Sequence, residues 1–133
     1  KVILVRQYRV TIDDYIYEFP AGLVEEGENY REAAVREMHE ETGLTFHPLE
    51  AEACFEKPYF TTIGMTDESC ASVYGYATGT ISRKYMEESE EIEVVLADRT
   101  EVARILREEN VAIMCAYQLM HFLKNEDPFY FLK

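Results

Sequence analysis

Three carboxylates, Glu37, Glu40 and Glu41, fall within five consecutive residues. If that stretch is helical, Glu37 and Glu41 share one face and stand about 5–6 Å apart. Glutamates on a helix usually belong to its solvated side, but these flank the apolar stripe. Glu37 follows Ala33 by four residues and Ala34 by three, and Glu41 follows Met38 by three. They also occupy the C-terminal half of the helix, where the macrodipole disfavours each anion by roughly 0.3–1 kcal/mol. Repulsion between like charges at i,i+4 adds about 0.2–0.5 kcal/mol, and partial burial costs more unless a cation is present. A hard divalent cation removes these costs, and clustered oxygen donors are what it requires. Metal-assisted chemistry on an anionic group is the first expectation from these residues.

The helix that must carry them fits residues 30–42, with Tyr30, Ala33, Ala34 and Met38 as its core-facing stripe. Asn29 suits the N-cap, Glu32 stands at the capping-box spacing, and Gly43 follows the last turn. Upstream, residues 2–8 and 15–19 read as strands joined by a turn at Asp13-Asp14, and Pro20-Ala21-Gly22 ends that hairpin. Downstream, strands are expected near residues 52–55, 72–81 and 91–96. Helices are expected over 99–108 and 111–124, the second capped by Asn110. This order predicts an α/β fold, a mixed β-sheet with helices packed on its faces.

The chain of 133 residues predicts a single domain spanning residues 1–133, and 47% hydrophobic residues suffice for a core despite 29% charged ones. It opens at Lys1 directly into a strand-like run, so a further segment upstream is expected. A net charge of −13 argues against nucleic acid and anionic membranes as partners. An anionic small molecule can still bind, provided that cations bridge it to the protein. Cys54, Cys70 and Cys115 form no CxxC pair and read as free, buried thiols of a reducing compartment, so a cytoplasmic protein is expected. The longest mostly apolar run, residues 111–123, is too short to span a bilayer. His39, His47 and His121 stand near no nucleophile, and nothing suggests a Ser-His-Asp or Cys-His arrangement.

The segment from Gly22 to Leu44, GLVEEGENYREAAVREMHEETGL, resembles the complete Nudix box: Gly, five residues, Glu, seven residues, Arg-Glu, an aliphatic, any residue, Glu-Glu, any residue, Gly, an aliphatic. The resemblance implies a Nudix-type α/β/α sandwich and hydrolysis of a pyrophosphate bond. It implies that Glu37 and Glu41 ligate magnesium, or manganese in its place, with Glu40 as a further or water-mediated ligand. Arg36 and Glu28 then pair to hold the loop onto the helix, and Gly22 and Gly43 let the chain turn on either side.

The flanks, LVRQYR over residues 4–9 and Glu18-Phe19-Pro20-Ala21-Gly22, are similar to the ADP-ribose pyrophosphatase branch. That likeness implies the Ala21 carbonyl as a metal ligand, Arg9 as a substrate contact and Leu23 near the nucleotide. Thr62, Gly64 and Glu68 resemble the branch's substrate-binding loop, with Ile63 standing where the branch has proline. The acidic segment 86–94 resembles the loop that supplies the general base; one register makes Glu88 the base and Glu90 an added metal ligand, and neighbouring glutamates leave others open. The branch implies a homodimer and an additional N-terminal β domain. The function expected is magnesium-dependent cleavage of ADP-ribose, or of a related nucleotide-sugar, to AMP and ribose 5-phosphate. Two rivals stand beside it: a Nudix hydrolase of other nucleotides, such as oxidised triphosphates, and a sensor that binds ADP-ribose without cutting it. Intact Glu28, Glu37, Glu40 and Glu41 argue against the sensor.

Overall fold

The computed structural model describes residues 1–87 and 91–133. Strand β1 (Val2–Arg9) pairs antiparallel on one side with β2 (Asp14–Glu18) and on the other with β7 (Ile92–Ala97). Two antiparallel pairs form separate sheets: β3 (Thr45–Pro48) with β6 (Gly75–Thr78), and β4 (Tyr59–Phe60) with β5 (Ser69–Cys70). A parallel bridge joins Tyr17 to Val111 at the sheet's edge. Helices α1 (Tyr30–Thr42), α2 (Ala53–Glu56), α3 (Arg99–Glu108) and α4 (Ile113–Lys124) complete the fold.

Strand alternation sorts the central sheet into two faces. The registers Val2–Ala97 and Leu4–Val95 put those residues on one side. There Leu4, Tyr17 and Ala97 pack with Val102 and Ile105 of α3 and Cys115 and Leu119 of α4. The other side carries Val5 and Ile92, both buried and both outside that cluster. Helix α1 contacts β7 and β3, so the sheet lies between α1 and the α3–α4 pair. The α/β class expected from the order of elements is the class observed.

Helices α1 and α3 have the bounds expected for them, because each has an N-cap side chain that fixes its start. Asn29 accepts from the Glu32 N–H at 2.9 Å and donates back to the Glu32 carboxylate at 3.0 Å; Asp98 accepts from the Glu101 N–H at 2.9 Å. Such caps contribute about 1 kcal/mol each. Helix α1 ends at Gly43, which is left-handed at φ 80° and where a Cβ would lie 2.7 Å from the Ser82 nitrogen.

Three expectations are corrected. Residues 52–55 are not a strand: Ala53–Glu56 form one helical turn, held by the Glu56 carboxylate on Arg31 at 2.5 Å. Asn110 does not cap the last helix. Its carbonyl accepts from the Tyr17 N–H at 2.9 Å and its side chain donates to the Tyr15 carbonyl at 3.0 Å, so it serves the sheet edge, and α4 starts only at Ile113. Tyr30, placed in the core stripe by periodicity, is exposed at the first position of α1.

Candidate active site

The candidate site is assembled where the loop after β2 crosses the C-terminal half of α1. Glu41 is only 6% exposed, although it is a carboxylate. It accepts from the Ala21 N–H at 3.1 Å, a bond between residues twenty apart in sequence. Next to it, Gly22 runs so close to Glu37 that any Cβ there would collide with the Glu37 carboxyl group. With any larger residue there, the Glu37 carboxyl group would have to shift. Two acidic side chains of α1 are thereby brought against one short stretch of backbone, Ala21–Gly22.

Arg36 ties the rest of the loop down. Its Nε and Nη2 donate to the two Glu28 oxygens at 2.8 and 3.0 Å, and Nη2 also donates to the Leu23 carbonyl at 2.9 Å. On the helix side, Nη1 donates to Glu37 at 2.8 Å and to Glu40 at 3.1 Å. Arg36 and its bond from the Glu25 N–H hold the Glu28 carboxyl down at about 2. Reciprocally, Glu28 and Glu37 push the Arg36 guanidinium well above its usual range. The C-terminal end of α1 is anchored as well, for Ser82 donates to the Thr42 carbonyl at 2.8 Å and the Tyr85 ring stacks on His39 at 4.2 Å.

The structure thus brings together Ala21, Gly22, Leu23, Glu28, Arg36, Glu37, Glu40 and Glu41. The Leu23 side chain is exposed beside them. Arg9 lies at the end of β1, its guanidinium forked onto Glu18 and close enough for Glu41 to raise its pKa. Thr62, Gly64 and Glu68 belong to the separate β4–β5 hairpin. Thr62 accepts there from the Met65 and Thr66 N–H groups, and Glu68 bonds Thr61. A Cβ at Gly64 would meet nothing within 4 Å, so the backbone there does not demand glycine. Glu88 and Glu90 lie outside the described residues.

Two participants escaped the sequence reading. Glu18 appeared only as a letter of a flanking pattern, yet alternation along β1 and β2 could have placed it on one face with Gln7 and Arg9. Tyr85 had no local signal, because its partner His39 is brought to it only by the chain returning along α1.

Could such a site hold a metal ion? Among the described residues, no three carboxylate, imidazole or thiol side chains gather as a ligand set. What α1 and its loop offer is two carboxylates, one of them buried, against a backbone segment with its own carbonyl oxygens. All of these are hard donors of the kind that magnesium takes, and magnesium keeps several waters instead of needing a full protein cage. The donor chemistry fits.

A NUDIX domain model matches residues 1–117. A methanol dehydrogenase activator of Bacillus methanolicus is 30% identical over 115 residues, covering 84% of this chain and 58% of that protein. An ADP-ribose pyrophosphatase of Bacillus subtilis is 40% identical over 68 residues, covering 51% of this chain and 35% of its own length. An ADP-sugar pyrophosphatase of Mus musculus is 55% identical over 42 residues, 32% of this chain and 19% of that protein. The chain spans about half the length of the curated relatives that it matches most extensively.

Proposed function

The chain belongs to the Nudix family, and from that premise we propose that it hydrolyses the pyrophosphate bond of ADP-ribose, with magnesium, to AMP and ribose 5-phosphate. The observation that carries the proposal is the convergence of Glu37 and Glu41 on the Ala21–Gly22 backbone. Glu37, Glu41 and the Ala21 carbonyl would hold the metal, joined by Glu90. When bound, magnesium neutralises the phosphates and stabilises the charge that develops on the leaving oxygen.

The chain's own residues do the rest. Arg36 keeps the Glu37 and Glu40 carboxylates oriented while Glu28 pins it to the loop. Arg9 binds a phosphate oxygen. Glu88 takes the proton from the water that attacks phosphorus in line, and the P–O bond on the far side breaks. Leu23 lies near the nucleotide, and Thr62, Gly64 and Glu68 contact the substrate. The homodimer and the cytoplasmic location belong to the same proposal; among the described residues no helix is long and apolar enough to cross a membrane.

The test is product analysis with ADP-ribose and magnesium beside a panel of nucleoside-diphosphate sugars and triphosphates. AMP forming fastest from ADP-ribose supports the proposal. Turnover of triphosphates with indifference to ADP-ribose would sink it. A second reading, another ADP-sugar as substrate, is favoured by the mouse relative's name and by its 55% identity; the same panel separates the two.

A further inference from the structure

The face of the sheet turned towards α1 carries a polar trio that the box does not include. The register pairs Val5 with Glu18, Gln7 with Ile16 and Arg9 with Asp14, so Gln7, Arg9 and Glu18 project from the same side. Glu18 receives Arg9 through two parallel bonds, Nε at 2.9 Å and Nη2 at 3.2 Å, and Gln7 donates to the same carboxylate at 3.2 Å. A bidentate fork fixes the plane of a guanidinium as a single contact cannot. Three residues beyond Glu18, the chain reaches Ala21, whose N–H lies on Glu41. Glu41 in turn acts on Arg9, adding to the rise in its pKa for which Glu18 is the first cause.

An arginine in this place has two carboxylates to choose from. Folded onto Glu41, it would neutralise a carboxylate that the metal site requires. Held by Glu18, its Nε and Nη2 edge is occupied and Nη1 stays on the outer side, where a phosphate oxygen can meet it.

We infer that Glu18 is a positioning residue: it orients Arg9 towards the pyrophosphate of the substrate and keeps it from collapsing onto Glu41. The inference rests on the reading of Arg9 and Glu41 given under Proposed function. Gln7 supports Glu18 by donating to the same oxygen that receives Arg9 Nε. Glu18 touches no reacting atom, so its removal weakens substrate binding more than it slows the chemical step.

The experiment is a double-mutant cycle of Glu18→Gln and Arg9→Ala on the full chain, with kcat and KM measured separately and the thermal midpoint recorded for each variant. Glu18→Gln is expected to raise KM about tenfold while kcat changes less than about threefold and the midpoint stays near that of the parent. In the Arg9→Ala background the same substitution is expected to change KM by less than about twofold. An unchanged KM in the single variant, or an equal rise in both backgrounds, overturns the inference. If the parent cuts another nucleoside-diphosphate derivative and not ADP-ribose, the substrate assignment fails, and the same cycle on that derivative still decides the role of Glu18. A parent inactive on the whole panel overturns both.

Discussion

Arg104 on α3 gathers Glu101, Glu108 and Glu109 at 2.7, 3.3 and 3.0 Å, much as Arg36 on α1 gathers Glu28, Glu37 and Glu40 at 2.8, 2.8 and 3.1 Å. Both guanidinium groups are driven far above their usual range by these carboxylates. As local chemistry the two clusters are near equivalents. They differ in where the partners come from. All three of Arg104's glutamates come from the same stretch of chain: Glu101 and Glu108 stand at helical spacing, and Glu109 is the extended residue that ends α3. Arg36 reaches back eight residues to Glu28 and thirteen to the Leu23 carbonyl, which means that it joins a loop to a helix. The Arg104 partner Glu101 is 38% exposed, against 14% for Glu28 and 16% for Glu37. A ring of glutamates around an arginine therefore says little by itself. What marks the α1 cluster is the backbone pressed against it, Ala21 on Glu41 and Gly22 on Glu37.

Breaking the α1 cluster should have effects that breaking the α3 cluster does not. The largest is expected from Glu41→Gln, which should lower kcat on ADP-ribose by about 1,000-fold or more, whereas Glu108→Gln should leave turnover unchanged. Parallel activity assays on the two purified variants check this, and equal loss in both would show that the comparison has no catalytic content. Gly22→Ala comes next. Its methyl group must push the Glu37 carboxyl aside, and a displacement of about 1 Å in a catalytic group commonly costs about 100-fold in rate. The same substitution at Gly64, where a Cβ meets nothing within 4 Å, should cost little.

Smaller again are the effects on stability. Arg36→Ala should lower the thermal midpoint more than Arg104→Ala, since ion pairs with glutamates as exposed as those around Arg104 contribute roughly 0–1 kcal/mol at most. Calorimetry on the two variants gives the order directly. The smallest effect is in pH. The Glu28 carboxyl is held at about 2 by Arg36, below its usual 4.5. A carboxylate lowered in the folded state contributes its full stability above the unfolded pKa and loses it as pH falls through the folded one. The loop's attachment to α1 should therefore weaken only between about pH 4.5 and 2. Carboxyl shifts followed by NMR should give a midpoint near 2 for Glu28, with Glu101 also lowered, by its bonds to Arg104.

Much of this could be read from local sequence. Helix α1 was legible because Asn29, Glu32 and Gly43 mark its ends, and the oddity of Glu37 and Glu41 was legible because helical spacing places them beside Ala33, Ala34 and Met38. Residues 52–55 were not legible as a helix. A single turn has little propensity signal of its own, and its Glu56 is held by Arg31, more than twenty residues away. Asn110 misled for a related reason: a cap and a sheet-edge partner use the same side-chain chemistry, and only the position of Tyr15 and Tyr17 decides which one forms.

The amino-acid sequence by itself thus determined the helix and the placing of its glutamates, which follow from periodicity and capping, and it displayed the box through its resemblance to the Nudix pattern. Tertiary structure decided which backbone meets those carboxylates. The contacts of Ala21 with Glu41, of Gly22 with Glu37 and of Arg9 with Glu18 depend on β1, β2 and α1 packing around one sheet. Strand alternation hints at the pairing of Arg9 with Glu18, but the contacts of Ala21 and Gly22 with α1 leave no local pattern, because the energy that selects them comes from burial of the sheet's two faces and not from the residues that the contacts join.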